Sequence, residues 1–167
     1  MLFLLVNCID QPTQTKMKYT LHITINAPLH EVVTKLDSVA NMKHWQRGFI
    51  SYEHLNGKEG HEGATSLLKY KMGKRNFEMI ETITKKNLPN AFHVTYDTKG
   101  VHNIQENFFE EIDEHTTQWT SVSQFQFSSF GMKFFGLIMP GAFKKQSYIY
   151  MKDFKNFVEK GTSVAHA

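Results

Sequence analysis

Five side chains of this sequence could supply acid–base chemistry, and they are scattered along the chain: His44, Arg75, Glu81, His102 and Glu106. A general acid or base must lie within hydrogen-bonding reach of the proton it moves, with a pKa tuned by burial or by neighbours. His102 and Glu106 share one face of a predicted strand, but four residues along a strand span about 13 Å. We therefore expect both to be solvated or at a cavity rim, and we assign no catalytic residue.

The motifs of other catalytic classes are not found in this sequence. It has no zinc-type spacing of His and Cys, no phosphate-binding glycine loop and no activated-nucleophile signature. Its one cysteine, Cys8, permits no internal disulfide and is compatible with a reducing cytoplasm. We accordingly predict a cytoplasmic protein that binds neither a metal nor a cofactor.

Length and charge narrow the class of protein further. A chain of 167 residues fits one domain, and a net charge of +3 is too weak to indicate nucleic-acid binding. No apolar run reaches the roughly 18 residues of a membrane span, so we expect no stable membrane insertion. The apolar start, Met1 to Val6, lacks the basic region of a signal peptide, and Asn7 disfavours acylation at Cys8. We interpret residues 1–16 as an extension outside the fold and expect a monomer or homodimer.

The structured region begins with a half-buried strand and two short helices. Apolar and polar residues alternate from Lys18 to Ile25, which predicts a strand. Pro28 then suits the first turn of a short helix that runs to Leu36. Residues 39–45 can form a second short helical piece, in which Met42 and Trp45 share a face.

Six further strands are predicted because runs of strand length alternate with short turn signals such as Asn56-Gly57 and Lys99-Gly100. Their short connections favour an antiparallel sheet over parallel crossovers. The predicted strands cover residues 49–55, 65–72, 76–84, 92–98, 102–112 and 117–127.

A long amphipathic helix is predicted at the C-terminal end. Phe143, Tyr150, Phe154 and Phe157 recur at helical spacing, with charged residues on the other faces. Pro140-Gly141 predicts a kink or break, and Gly161 predicts the end of the helix. The elements together predict an α+β domain over residues 17–161, with seven antiparallel strands and a tail of residues 162–167.

This layout resembles the SRPBCC superfamily, also called START-like or Bet v 1-like, and within it the polyketide cyclase/dehydrase branch. Five segments carry the resemblance: residues 19–33, Met42-Lys-His-Trp45, Thr116-Thr-Gln-Trp-Thr-Ser121, Phe143-Lys-Lys-Gln146 and residues 151–157. The resemblance implies a helix-grip fold, in which a curved sheet holds the long helix around a cavity. It also implies a ligand of the superfamily's kinds, which include lipids, sterols, polyketides, plant metabolites and quinones.

Twelve residues are predicted to line this cavity, because they are aromatic, small or polar residues on the predicted inner faces: Trp45, Tyr70, Phe77, Met79, Tyr96, Trp119, Ser121, Ser123, Phe125, Phe143, Gln146 and Tyr150. Each has a purely structural alternative. Ser121 and Ser123 can simply make room for bulky helix residues. Trp45 can anchor the short helix, Gln146 can bond to a strand end, and Tyr150 can pack at a boundary.

The leading functional hypothesis is the binding or carriage of a small hydrophobic molecule. The runner-up is a cyclase or dehydratase that acts on a polyketide-like substrate by acid–base chemistry. A third hypothesis is protein interaction through the apolar segment Phe130 to Phe143. Within the resemblance, residues 134–139 of that segment would instead close the pocket mouth and touch a membrane during loading.

Overall fold

The computed structural model describes residues 15–128 and 140–165 of the chain. Residues 1–14 and the apolar segment 129–139 lie outside this range, and so do the interpretations placed on them. The described chain forms these elements, together with a 3-10 turn at Val39–Asn41: β1 Thr15–Ile25, α1 Leu29–Leu36, α2 Met42–Trp45, β2 Phe49–Asn56, β3 Thr65–Met72, β4 Arg75–Asn87, β5 Ala91–Thr98, β6 Val101–Asp113, β7 Thr116–Phe127 and α3 Pro140–Lys160.

The strands form one antiparallel sheet of seven strands in the order β1-β7-β6-β5-β4-β3-β2, which confirms the predicted fold class. All the predicted strands are present. β1 begins earlier than the predicted domain start at Met17, because Thr15 and Lys16 continue the ladder opposite Phe127 and Gln126. β1 therefore includes Thr15 and Lys16, the last two residues of the predicted N-terminal extension.

Register shifts interrupt the ladders at several places. They include one in β2 between Phe49 and Ser51 and one in β4 between Ile83 and Lys85. An extra residue on one strand bends that strand and increases its twist. These irregularities help the sheet to curve, so that one face is concave.

The connection between β1 and β2 carries α1 and α2. Pro28, with φ −59°, precedes α1, whose Leu29, Val32 and Val33 are buried. Because β1 and β2 form the two opposite edges of the sheet, this connection has to cross one end of it. The two short helices close that end, as the sequence pattern predicts.

Helix α3 packs on the concave face through one apolar stripe. Met151, Phe154 and Val158 are buried against Leu21, Ile23 and Trp119 of the sheet. The helix begins at Pro140 and its last turn is closed by the N–H of Gly161, which donates to the Phe157 carbonyl over 3.0 Å. Gly161 has φ +66°, the left-handed conformation that a helix C-terminus commonly uses.

The chain after α3, within the predicted tail of residues 162–167, packs against α2. The N–H of Val164 donates to the carbonyl of His44 over 3.0 Å, and the Val164 side chain is buried. The Ser163 hydroxyl also lies 2.8 Å from Nδ1 of His44. The packed domain therefore extends past residue 161.

The buried apolar residues fall into three separate clusters rather than one. The largest joins α1, β1, β7 and α3. A second surrounds Met42, Leu68 and Tyr70, and a third surrounds Ala64, Ile83 and Val94. Half-buried rings, among them Phe92 and Tyr96, lie between the clusters, which leaves the concave face of β3–β5 less tightly packed than that of β1 and β7.

Candidate functional site

Four ionisable side chains converge between the middle of the sheet and α3: Tyr70 of β3, Glu81 of β4, Tyr96 of β5 and Tyr150 of α3. The charge of Glu81 acts on both Tyr70 and Tyr96, and Tyr150 acts on the same two tyrosines. We call the space that these four side chains border the hollow. It lies where the resemblance implies a ligand cavity.

Strand register explains why these residues meet. Glu81 is paired with Ser66 on one side and with Tyr96 on the other. Directly paired residues of neighbouring strands project from the same face with their Cβ atoms about 5 Å apart. Tyr70 reaches the same region from one strand further along, where it pairs with Phe77.

Glu81, Tyr96 and Tyr150 are enclosed by protein and still reach water. Desolvation by the surrounding protein is the largest effect on the pKa of each side chain and raises all three pKa values. Each nevertheless keeps an intermediate fraction of its surface accessible to water. This combination is compatible with side chains that border a space between the sheet and α3.

Burial dominates the electrostatics of the hollow. Burial raises the pKa of the Glu81 carboxyl above 4.5, and a hydrogen-bonding interaction with Tyr96 partly opposes the rise. Burial and the neighbouring Glu81 charge raise the pKa values of Tyr70 and Tyr96 well above 10.0. The tyrosines therefore stay neutral near pH 7 and act as hydrogen-bond donors.

One end of the hollow is held by residues that follow α2. The Tyr70 hydroxyl donates a short hydrogen bond to Oε1 of buried Gln46. The next residue, Arg47, forms a two-pronged ion pair with Asp153 of α3: Nε to Oδ2 at 2.5 Å and Nη2 to Oδ1 at 2.9 Å. This pair fixes α3 relative to the end of α2, and therefore fixes Tyr150 relative to the sheet.

Replacing Arg47 with Met is expected to lower the free energy of unfolding by about 1–2 kcal/mol. The carboxylate of Asp153, only 6% exposed, would lose its counter-charge while Met kept most of the aliphatic packing. Because Arg47 is half-exposed, the expected loss of stability is smaller than that for breaking a fully buried ion pair. Urea denaturation measures it, with Lys43→Met on exposed α2 surface as the control. Equal stability of Arg47→Met and wild type would show that the pair contributes nothing.

The floor of the concave face carries a row of amides that the sequence pattern did not reveal. Asn103, Gln105 and Asn107 alternate on the inner face of β6. Asn107 is satisfied by its neighbours, since its Oδ1 accepts from Nε1 of Trp119 over 3.0 Å and its Nδ2 donates to the Phe92 carbonyl over 3.1 Å. Because β6 has polar residues on both faces, the alternation of apolar and polar residues does not predict which face these three amides occupy.

Aromatic rings form the walls at the two sides of the hollow. Tyr70 stacks on Phe77 with ring centroids 5.3 Å apart, and Met79 packs into the same cluster. On the other side Phe143 of α3 lies 5.0 Å from Phe125. These predicted lining residues thus lie on the concave side of the sheet or on the helix face that covers it.

Four of the predicted lining residues lie in closely packed surroundings. Trp119 is 3% exposed and packs against Phe154, and Ser121 and Ser123 beside it are also almost fully buried. Trp45 packs edge to face on Phe154 at 5.2 Å. These positions match the structural alternatives, in which Trp45 anchors α2 and the serines make room for the helix.

Gln146 interacts with the Tyr150 side chain, one turn further along α3, and this interaction lowers the Tyr150 pKa against the larger effect of burial. Gln146 is half-buried and lies beside the hollow.

Of the five acid–base candidates, Glu81 alone borders the hollow. His102 lies on the convex face, with its Nδ1 2.6 Å from Oδ1 of Asp97, and Glu106 shares that face. His44 stacks on Phe157 at 5.1 Å beside the C-terminal tail. Arg75 is exposed at the β3–β4 hairpin.

A metal centre and a surface groove are the two alternatives to the hollow among the residues that the structure describes. This part of the chain has no cluster of three or more His, Cys, Asp or Glu residues that could hold a metal ion. A surface groove of about 500 Å³ lies between α1 and the β4–β5 turn, bordered by Val33, Asp37 and Leu88 among others. It is open to solvent and its Asp37 is already paired with Lys86 at 2.6 Å, so the hollow is the better candidate.

Comparison with known proteins identifies the fold. No protein-family model and no curated protein matches the chain. Among solved structures, norcoclaurine synthase from Thalictrum flavum is 12% identical, with 91% of this chain and 99% of that chain covered and a TM-score of 0.69. The Zhui aromatase/cyclase from Streptomyces sp. R1128 is 13% identical, with 87% and 95% covered and a TM-score of 0.70.

A third similar structure is protein SA2116 from Staphylococcus aureus, of unknown function, which is 10% identical, with 89% and 97% covered and a TM-score of 0.72. At these identities the likeness establishes the fold alone. The chain has the Bet v 1-like helix-grip fold, which confirms the fold that the resemblance implies.

None of the helices in residues 15–128 and 140–165 is both long enough and apolar enough to cross a bilayer.

Proposed function

We propose that this protein binds a small, mainly apolar molecule in the hollow between α3 and the concave face of β3–β7. The observation that carries the proposal is the set of Glu81, Tyr96 and Tyr150, which protein encloses without sealing them from water. Apolar walls with a few convergent polar groups are the usual composition of small-molecule sites. The similar structures are consistent with it, since one is of a synthase and another of an aromatase/cyclase.

An energetic argument supports an occupied hollow. An empty, dry cavity costs about 24 cal/mol per Å³, so one of roughly 300 Å³, small for a ligand site, would cost about 7 kcal/mol. The net stability of a domain is only about 5–15 kcal/mol. A hollow of that size would therefore be filled by ligand or water.

Native mass spectrometry of freshly purified protein tests the proposal, followed by titration with fatty acids, sterols and quinones. We expect a copurified mass or a saturable ligand. The variant Met79→Trp, which fills the hollow from β4, is expected to weaken binding by more than about tenfold. Ile80→Trp, one residue along on the opposite face, is the matched control. If no copurified mass is found and no compound of the panel binds, the proposal is wrong.

A second candidate function is acid–base catalysis on a polyketide-like substrate, as in a cyclase or dehydratase. Glu81 favours it, because a buried carboxyl with a raised pKa next to tyrosine hydroxyls can both accept and return a proton. Glu81→Gln would then abolish turnover of such a substrate and leave its binding measurable. Turnover that survives in Glu81→Gln would exclude this role.

Three further expectations stay predictions. They are a cytoplasmic location, a monomer or homodimer, and the absence of nucleic acid among the partners. The single cysteine is compatible with the first, and the net charge of +3 supports the third.

A further inference from the structure

Glu81 is unusual because it lies on a surface where the described residues provide no lysine or arginine to pair with it. Between Phe77 and Ile83 of β4, and at the same level of the neighbouring strands, the described residues that face α3 include no lysine or arginine. The inner-facing cations lie at the strand ends. Arg75 is exposed and about 20 Å along the strand from Glu81, and Lys86 is paired with Asp37 at 2.6 Å.

The two acidic residues of α3 differ from Glu81, because each of them has a cationic partner. Asp153 is neutralised by the two-pronged pair with Arg47. Glu159 accepts from Nζ of Lys155 at 2.6 Å. Among the described residues, Glu81 has the Tyr96 hydroxyl as its neutral partner and no cation.

A ring beside Glu81 supplies the second property that a cation site needs. Tyr96 is paired with Glu81 across β5 and β4, whereas the stacked rings of Tyr70 and Phe77 lie four residues, or about 13 Å, further along the strands. The face of an aromatic ring carries a partial negative potential that attracts an ammonium group within about 6 Å. A carboxylate next to such a ring can receive an organic cation.

We propose that the ligand of the hollow carries a protonated amine, which pairs with the carboxylate of Glu81 beside the ring of Tyr96. This inference rests on the proposed binding function and adds the chemical class of the ligand. Burial raises the pKa of Glu81, so a cation that pairs with the carboxylate restores the interaction that burial removes. A metal ion is a poorer occupant, since no cluster of acids or histidines surrounds Glu81 within the described chain.

Two probes of nearly equal shape test the inference: 2-(1-naphthyl)ethylamine and 2-(1-naphthyl)ethanol, titrated by calorimetry at pH 7. A hydrogen bond between two charged groups is stronger than one to a neutral hydroxyl, so we expect the amine to bind about tenfold more tightly. 8-Anilinonaphthalene-1-sulfonate serves as a third probe, which reports an accessible apolar space regardless of the amine.

The variant Glu81→Gln removes the charge while keeping the shape and is expected to remove the preference for the amine, with less than about threefold effect on the alcohol. Glu78→Gln, on the same strand but exposed on the opposite face, should leave both affinities unchanged. Equal binding of amine and alcohol to the wild type would overturn the inference and leave the binding function intact. If neither naphthyl compound binds while the sulfonate probe still binds, the inference is also overturned. If none of the three probes binds and the mass spectrum shows no copurified ligand, the binding function itself is wrong.

Discussion

Replacing Phe154 with alanine is expected to lower the free energy of unfolding by about 3–5 kcal/mol. The Phe154 side chain is fully buried and packs edge to face on Trp119 at 5.4 Å and on Trp45 at 5.2 Å. Its loss would leave a void at the point where α2, α3 and the sheet meet. That void lies in the largest buried cluster of the described chain, where close-packed neighbours have little freedom to collapse into it.

Urea denaturation followed by tryptophan fluorescence measures this loss, and both tryptophans report on it because both contact Phe154. Tyr148→Ala on the same helix is the control, since Tyr148 is 43% exposed and should change stability by less than about 0.5 kcal/mol. A Phe154→Ala variant within 1 kcal/mol of the wild type, on the order of a surface change, would mean that α3 is not held to the sheet at this position.

Replacing Glu81 with Gln is expected to stabilise the ligand-free protein by about 1–2 kcal/mol near neutral pH, the reverse of most substitutions. Burial raises the folded-state pKa of Glu81 above the ordinary 4.5. As pH rises through the interval between these two values, the unfolded chain loses its proton first, so the stability of the wild type falls. Gln does not titrate and is spared that loss.

The stability difference between Glu81→Gln and the wild type should therefore depend on pH. Below about pH 4 both states of the wild type hold the proton and the two proteins should differ little. The advantage of Gln should grow as pH rises above 4.5 and then level off. Tyr70, Tyr96 and Tyr150 face the same space but have raised pKa values, so they add no titration in this range.

Denaturation at intervals between pH 3.5 and 8, a range chosen to bracket the ordinary carboxyl pKa of about 4.3, measures the difference, with Glu78→Gln as the control. Glu78 lies on the convex face at the surface and should show no such growing advantage. A Glu81→Gln variant that is less stable than the wild type at neutral pH would show that the carboxylate is compensated in the folded protein. A bound amine would produce that result, so the measurement uses refolded protein freed of ligand.

Alternation along the strands made the sheet predictable from the sequence. β3 is predicted residue for residue, because Ser66, Leu68 and Tyr70 alternate with more exposed neighbours between clear turn signals. β4 runs further than predicted, to Asn87, because the irregularity between Ile83 and Lys85 breaks the alternation without ending the strand. The local pattern cannot distinguish a bulge from a strand end.

The site was only partly predictable, because its contacts join distant parts of the chain. Glu81 follows Phe77 and Met79 at two-residue spacing, so its face was predictable, but its burial depends on α3. The pair of Arg47 with Asp153 spans 106 residues and that of Tyr70 with Gln46 spans 24. No periodicity in a short window contains such information.

The buried residues of α3 are unevenly distributed along the helix, and this affects where a ligand could enter. The fully buried residues of the helix, Met151, Asp153, Phe154 and Val158, all lie in its second half, close to where Val164 docks on α2. Among the residues whose burial is described, the first half is attached by half-buried groups such as Phe143 and Ser147. Backbone amides should therefore exchange with deuterium faster near residue 145 than near residue 155, and access to the interior should come from the end of the domain where α3 begins.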